Sequence, residues 1–592
     1  MRQAGVKLIV ARAGAFLGAC RFRTGIGTQA ALPAFFAWLI CGAIVAVSSI
    51  VLILSFLQDF PMSSALGIQN YVDAMDRYLF AEVLPNTVLV GIGTVGVVLF
   101  FSVPLAWLLT RTNVPLRTTW ISLLAVSVVV PAYLKAMGWI MLINPKMGLL
   151  NKLLADLLGI PDIPLDVASL WGISFIQGLM LTPVMFFLLA GPMRSIDPAL
   201  EEAAIVAGAS AWKRFWRINM RLLWPATLGG MIYTMMSAIS IFDAAAMLGG
   251  FDKNPVLATA MFLRVEAGGG GEIPNYGVAG VYGLLLTGPS LVALYFYFQV
   301  IKQQHRYAVI GGRGYRPATV DLGRFKVLGL AFILTYLTLA VFFPFLMLLW
   351  QSFLPYLQFP SRHAFATMSF IQYLNAGSVA SKGSILNTAT LVLFATVLTL
   401  FFGFMVSWIV TRTRLLGRQV LDSISMLPHA IPGLAFAFAL LVVAIMARKY
   451  APWLPLYGTV LVLVIAHVMN RISYVTRVAN AALLQVSSEL EEAALICGAK
   501  RLVAIFRILI PLVGPALLFA GLWTAIIVFR DLTIALMLWG PKNAVISVLV
   551  WQAWRSGNYT LAAATGVIMV VLLGTLVFAA QKIGRLERLY VD

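Results

Sequence analysis

Long apolar runs separated by short polar segments dominate this chain, and they fall into two matching sets. In the first half they cover about 32–57, 84–109, 118–142, 169–193, 224–248 and 277–301, each near the roughly 20 residues a helix needs to cross a hydrocarbon core. In the second half they cover about 327–352, 385–410, 420–446, 457–478, 513–538 and 558–581, again close to one membrane thickness. The runs contain Gly and Pro and lack the ten-residue alternation of membrane strands, so the pattern predicts a helical bundle and not a β-barrel. The expected fold is all-α and integral to the membrane, with about twelve transmembrane helices.

The polar segments repeat as well. Glu201-Glu202-Ala203-Ala204-Ile205-Val206-Ala207-Gly208-Ala209 returns 290 positions later as Glu491-Glu492-Ala493-Ala494-Leu495-Ile496-Cys497-Gly498-Ala499, and the register holds to Pro225-Ala226 and Pro515-Ala516. Earlier in each half, Asn86-Thr87, Trp107, Thr110-Arg111-Thr112, Arg117 and Pro131 match Asn387-Thr388, Trp408, Thr411-Arg412-Thr413, Arg418 and Pro432 at an offset of 301. Six spans per half is an even number, which gives the two copies the same orientation: a parallel repeat about an axis along the membrane normal.

Composition agrees with the pattern. The chain is 61% hydrophobic and 11% charged, whereas soluble domains carry charge at about a quarter of their positions. Its formal charge of +20 is spread over alternate loops, which marks topology and gives no reason to expect nucleic acid. Arg111, Arg117, Arg194, Lys213, Arg214, Arg217, Arg221, Arg412, Arg414, Arg418, Arg477, Lys500, Arg501 and Arg507 share one side with the connector 302–326, while Asp59, Asp73, Asp76 and Glu82 occupy an opposite loop. The positive-inside rule places the basic side, both repeated segments and both termini in the cytoplasm.

The chain then divides into a basic cytoplasmic tail (1–30), a first transmembrane domain (31–301), a cytoplasmic connector (302–326), a second transmembrane domain (327–582) and a cytoplasmic tail (583–592). The connector holds the flexible, basic stretch Gly311-Gly312-Arg313-Gly314-Tyr315-Arg316-Pro317. Arg12 interrupts the apolar stretch before Leu17-Gly18-Ala19-Cys20, so that lipoprotein-like box reads as coincidence. Cys20, Cys41 and Cys497 offer no metal spacing and no disulfide pair. No Gly-rich loop ending in Lys-Ser/Thr is present, so the chain has no ATP site of its own and no cofactor is expected.

Each repeated segment has the chemistry of a docking element. Asp197-Pro198 and Ser487-Ser488 are helix-start signals, and acidic residues suit a first helical turn. The alanines make a smooth face, and Gly208 and Gly498 allow a left-handed turn where a Cβ would be strained. The prediction is two short helices joined at a bend, projecting into the cytoplasm.

This segment resembles the signature cytoplasmic loop of permease subunits of bacterial ATP-binding-cassette importers, whose pattern is Glu-Ala-Ala, three residues, Gly, nine residues, then Ile-x-Leu-Pro. The second copy gives Glu492-Ala493-Ala494, Gly498 and Ile508-Leu509-Ile510-Pro511. The first gives Glu202-Ala203-Ala204, Gly208 and Ile218-Asn219-Met220-Arg221, with Arg in place of the final proline. The resemblance implies two tandem six-helix importer permease domains in one inner-membrane chain and coupling loops at Glu201, Glu202, Ala203, Ala204, Gly208, Glu491, Glu492, Ala493, Ala494, Gly498 and Pro511. It also implies two copies of a separate ATPase subunit and an extracytoplasmic solute-binding protein, with lipid around the bundle and no catalysis by the chain itself. Phe529-Arg530-Asp531-Leu532-Thr533-Ile534-Ala535-Leu536-Met537-Leu538 is similar to the span-eleven region of ferric-iron-type permeases, which makes ferric iron the first choice of cargo. Permeases for polyamines, thiamine or aminoethylphosphonate share the architecture.

Charges inside the membrane cost about 2.5–3.5 kcal/mol on insertion scales and should face the bundle interior or an aqueous path. Lys135, Asp243, His467, Arg471, Arg530 and Asp531 are such residues, and Asp243, Arg530 and Asp531 are the candidates for the translocation path. The alternative for Arg530 and Asp531 is pairing with neighbours for assembly alone. His429 and His467 are too isolated for metal ligation and are expected to pack or hydrogen-bond; no metal site is expected. An ion-coupled secondary transporter would share the hydropathy but would not require paired coupling segments, and a membrane enzyme would need a catalytic cluster that is missing.

Overall fold

The computed structural model describes residues 31–58, 60–62, 65–146, 148–160, 164–251, 253–266, 274–304, 320–379 and 382–591. The basic tail, residues 305–319 of the connector with its glycine-rich stretch, and Cys20 lie outside the described residues. Among the described residues the structure is helical, with two isolated β-bridges. Eleven helices are long and apolar enough to cross a membrane, or twelve if one bent pair counts as a span.

That pair corrects the expected span 118–142. Arg117–Val129 and Ala132–Leu142 meet at 94°, because Pro131 cannot donate a backbone hydrogen bond and pushes Val130 out of helical geometry. Its counterpart breaks the same way between Arg418–Ala430 and Gly433–Tyr450 at Pro432. The expected spans 224–248 and 513–538 also end early: Met220–Ile239 and Ile510–Arg530 stop, and short helices Asp243–Met247 and Thr533–Met537 follow. The last helix, Tyr559–Val591, continues through the segment expected as a tail.

The repeat is visible element by element. The offset changes from 301 to 290 within one loop, where the first half carries an additional helix, Leu149–Leu158. In both halves the threonine after the matched asparagine accepts an equivalent backbone hydrogen bond: Leu257 N to Thr87 Oγ1 at 2.9 Å and Ile546 N to Thr388 Oγ1 at 3.1 Å. The halves also embrace. Ala31–Phe56 packs on Lys382–Arg412 and Gly433–Tyr450, and Phe343–Ser352 packs on Ala132–Leu142. Buried Tyr336 closes that contact with a 2.8 Å hydrogen bond to the Leu179 carbonyl.

Close approach there depends on Gly138, where a Cβ would lie 2.3 Å from the Pro344 carbonyl oxygen. Gly138→Leu should therefore destabilise the protein by about 1–3 kcal/mol through overpacking, read as a lower thermal midpoint in detergent. Gly42→Ala, where a Cβ meets nothing within 4 Å, should leave that midpoint unchanged.

Candidate functional site: two coupling helices and a polar cluster

The repeated segments form matched helix–turn–helix elbows. Asp197 accepts the Ala199 N–H at 2.9 Å to start Pro198–Val206, and Ser487 accepts the Glu489 N–H at 3.2 Å to start Ser488–Ile496. Both helices end in the same motif: Gly208 N–H to Ile205 O with Ala209 N–H to Ala204 O, and Gly498 N–H to Leu495 O with Ala499 N–H to Ala494 O. The glycines hold φ of 74° and 85°, the left-handed geometry a Schellman ending requires. A second short helix in each copy, Ala211–Arg214 or Arg501–Ala504, then runs through a π-turn into the next span, and exposed Pro511 lies in the first turn of Ile510–Arg530. Arg221, at the position of that proline, is likewise exposed.

The outer faces of these helices carry apolar side chains in the open. Val206 is 90% exposed and Ile496 86%, beside exposed Leu200, Ile205 and Leu490. Glu202, Ala203, Glu492 and Ala493 are exposed as well. Glu491 differs from exposed Glu492: it is buried, 3.8 Å from the Arg501 guanidinium, which in turn lies over the ring of buried Trp408. Burial raises the carboxyl pKa of Glu491, opposed by Arg501 and Arg412. In the connector the opposite holds: hydrogen bonds from the Gly323 N–H, Asn113 and Lys326 pull the pKa of exposed Asp321 down to about 2.

Two arginines of the repeated Thr-Arg-Thr motif each hold the start of one elbow. Arg412 donates to the carbonyls of Leu483 and Val486 at 2.6 and 2.5 Å, and buried Arg111 donates to the Ile196 carbonyl at 3.2 Å. Ile196 and Val486 directly precede the capping residues Asp197 and Ser487. The arginines of the matched Thr-Arg-Thr triplets anchor the roots of the two capped helices.

The intramembrane charges gather at the junction of the halves: Asp243 and Asp531 lie just beyond the helices Met220–Ile239 and Ile510–Arg530, Arg530 ends the second of these, and Arg471 lies within Val460–Gln485. Arg471 pairs with Asp531 at 2.7 Å, and Asp531 also accepts the Ile534 N–H at 2.9 Å. Arg530 donates to the Val128 carbonyl, and Thr533 donates to Asp243. Asp243 and Thr533 are repeat counterparts, 290 residues apart, so their hydrogen bond marks the pseudo-two-fold axis. Glu266 and Arg555 end the matched helices Leu257–Glu266 and Ile546–Arg555 and pair at 2.9 and 3.0 Å, a second contact across that axis. Lys135 is buried and donates to the Ser127 carbonyl at 2.8 Å. His429 stacks on Tyr233 with ring centroids 6.1 Å apart. His467 is fully buried, and neither ring nitrogen has a hydrogen-bond partner among the described residues, so it packs without hydrogen-bonding. Among the described residues no three His, Cys, Asp or Glu side chains group as metal ligands.

Residues 400–584, which include the capped helix Ser488–Ile496 and the Arg471–Asp531 pair, match the family of binding-protein-dependent transport system inner membrane components. The chain is a permease of this class. It is a transport subunit and not an enzyme, and a permease of this kind works with an ATPase and a solute-binding protein. The permease is similar to the ferric transport system permease protein FbpB of Actinobacillus pleuropneumoniae, with 26% identity over 531 residues, 88% of this chain and 73% of that protein. It is similar to the Fe(3+)-transport system permease protein FbpB 2 of Haemophilus influenzae at 22% identity, covering 90% of this chain and 96% of the relative. A spermidine/putrescine transport system permease protein, PotB of Haemophilus influenzae, is 28% identical over 36% of this permease and 75% of its own length.

Proposed function

We propose that this permease forms the whole translocation path of an ATP-driven importer for ferric iron. Two ATPase subunits dock on the cytoplasmic helices around Glu202 and Glu492, and an extracytoplasmic protein delivers the cargo to the opposite face. Both termini lie in the cytoplasm. Residues 31–301 and 327–582 act as two permease domains that rock against each other, and Asp243, Arg530 and Asp531 sit on the path between them. The observation that carries this reading is the pair of identically ended helices whose exposed tips, Val206 and Ile496, have no packing role in the bundle. Apolar side chains held out by a rigid cap fit a groove on a partner. ATP drives transport only if the docked ATPases prefer one state of the permease over the other. The iron assignment follows the names of the ferric relatives.

Glu492→Lys and Gly498→Leu test the coupling surface. Each should lower ATPase pull-down and binding-protein-dependent ferric uptake in proteoliposomes by at least about tenfold, which is about 1.4 kcal/mol. A Cβ at Gly498 meets nothing within 4 Å, so the bundle should stay folded. Undiminished pull-down and uptake in both variants would remove these helices from coupling.

A further inference from the structure

Because the halves match residue by residue, every position in the membrane core has a counterpart against which to judge it. The 301 offset pairs Val128 with His429 and Pro131 with Pro432; the 290 offset pairs Ser240 with Arg530, Ile241 with Asp531, Met180 with Asn470 and Leu181 with Arg471. Apart from the two prolines these counterparts are chemically unlike, and the two interfaces between the halves differ accordingly. In one, Arg530 reaches from the second half to the Val128 carbonyl, at the break between Arg117–Val129 and Ala132–Leu142. In the other, Ser240 stands where that arginine would be, opposite the break at Ile431 and Pro432. A cavity of about 280 Å³ is open there, lined by Tyr233, Ser240, His429, Asn470, Arg471 and Asp531 among others.

The geometry points to a single, one-sided cargo site in this permease: the cavity at Arg471 and Asp531 holds the solute in transit, and its pseudo-symmetric mate is sealed by Arg530. The inference rests on the importer reading above and adds where, and in what chemical form, cargo is held. At roughly 30 Å³ per water the cavity has room for about nine, far more than a bare metal ion fills. Its one carboxylate, Asp531, is already engaged by Arg471 and the Ile534 N–H. Direct coordination of a trivalent ion by protein groups is therefore not what this lining provides. It provides hydroxyls, an amide, an imidazole and a guanidinium. Guanidinium donors match carboxylate and phosphate oxygens. The fitting solute is small and rich in anionic oxygen, such as a metal ion inside a shell of carboxylate ligands, recognised through that shell. Contacts of this kind hold a solute weakly enough to release it, as a transport site must.

The repeat itself supplies the variants that test this. Ser240→Arg copies Arg530 into the open site, and Arg471→Leu with Asp531→Ile copies Leu181 and Ile241. Removing both members of the ion pair leaves no stranded charge. Each variant is assembled with the ATPase and reconstituted with the binding protein, and ferric uptake is measured. Equilibrium binding of ferric citrate and of metal-free citrate to the detergent-purified transporter is measured in parallel. Thermal unfolding and ATPase pull-down should match wild type in Ser240→Arg. The double variant, which also loses the cap on the Ile534 N–H, should melt slightly lower with normal pull-down, while uptake and ferric citrate binding fall at least tenfold in both. Ferric citrate retained by wild type alone supports the chelate as the bound form; equal retention of metal-free citrate, also lost in Ser240→Arg, assigns recognition to the oxyanion. Wild-type uptake and binding in Ser240→Arg with normal ATPase association would overturn the cavity assignment. Loss of ATPase association in the coupling-helix variants is a separate readout, so failure of the importer reading would not be mistaken for failure of the site.

Discussion

Replacing Arg412 with leucine should uncouple the ATPases from transport while the membrane bundle stays folded. The guanidinium bridges two carbonyls, Leu483 and Val486, at the point where a span ends and the capped coupling helix begins. Hydrogen bonds from a charged donor contribute about 1.5–3 kcal/mol each, so losing both removes roughly 3–6 kcal/mol of local anchoring. Partial exposure of this arginine places the effect at the lower end. Even 3 kcal/mol is about a hundredfold shift between seated and unseated helix. ATPase pull-down should fall by at least tenfold, with uptake lost and far-UV circular dichroism unchanged. Arg412→Lys should recover only part, because both carbonyls are bound by the single terminal nitrogen Nη2 and the lysine ammonium ends one bond short of that position. Arg111→Leu should act in the same direction on the first coupling helix through the Ile196 carbonyl. Coupled uptake at wild-type level in Arg412→Leu would show that the helix is held by Glu491 and its packing instead.

The fold was legible because transmembrane helices announce themselves by length and hydropathy, and because the chain repeats. Helix caps at Asp197 and Ser487 and the left-handed glycines were equally legible, since cap chemistry is local and depends on a few neighbouring residues. Proline-driven breaks at Pro131 and Pro432 were visible as prolines but not as bends, because a proline in an apolar run can also leave a kinked helix crossing straight through. The burial of Glu491 against Arg501 could not be read from a Glu-Glu pair, whose two members differ only in which side of a helix turn they occupy. Arg471 and Asp531 were legible as intramembrane charges, but their one-sided placement shows only once Leu181 and Ile241 are set opposite them. Asp531 both pairs with a neighbour and lines a cavity.

Asp531→Ala is expected to be among the most destabilising single changes in this permease. The carboxylate does two separate things. One oxygen holds Arg471 at 2.7 Å with the Asp531 side chain only 10% exposed, and the other caps the short helix Thr533–Met537 through the Ile534 N–H. Removing one partner of a buried pair strands the other and costs about 3–5 kcal/mol, and loss of a helix cap costs about 1 kcal/mol more. Arg471 is 26% exposed, so water in the cavity offsets part of that, and a net loss near 3 kcal/mol is expected. Asp531→Asn keeps an oxygen for the Ile534 N–H and removes only the charge, so it should unfold between wild type and Asp531→Ala in detergent melts. The short helix also carries Thr533, which meets Asp243 on the pseudo-two-fold axis, so disorder at the cap reaches the contact between the halves. If Asp531→Ala melts with wild type, Arg471 is fully solvated by the cavity and the ion pair holds nothing together. A large loss in Asp531→Ala together with near-wild-type melting of the Arg471→Leu, Asp531→Ile double variant would show that the pair is dispensable for the fold and is kept for what passes beside it.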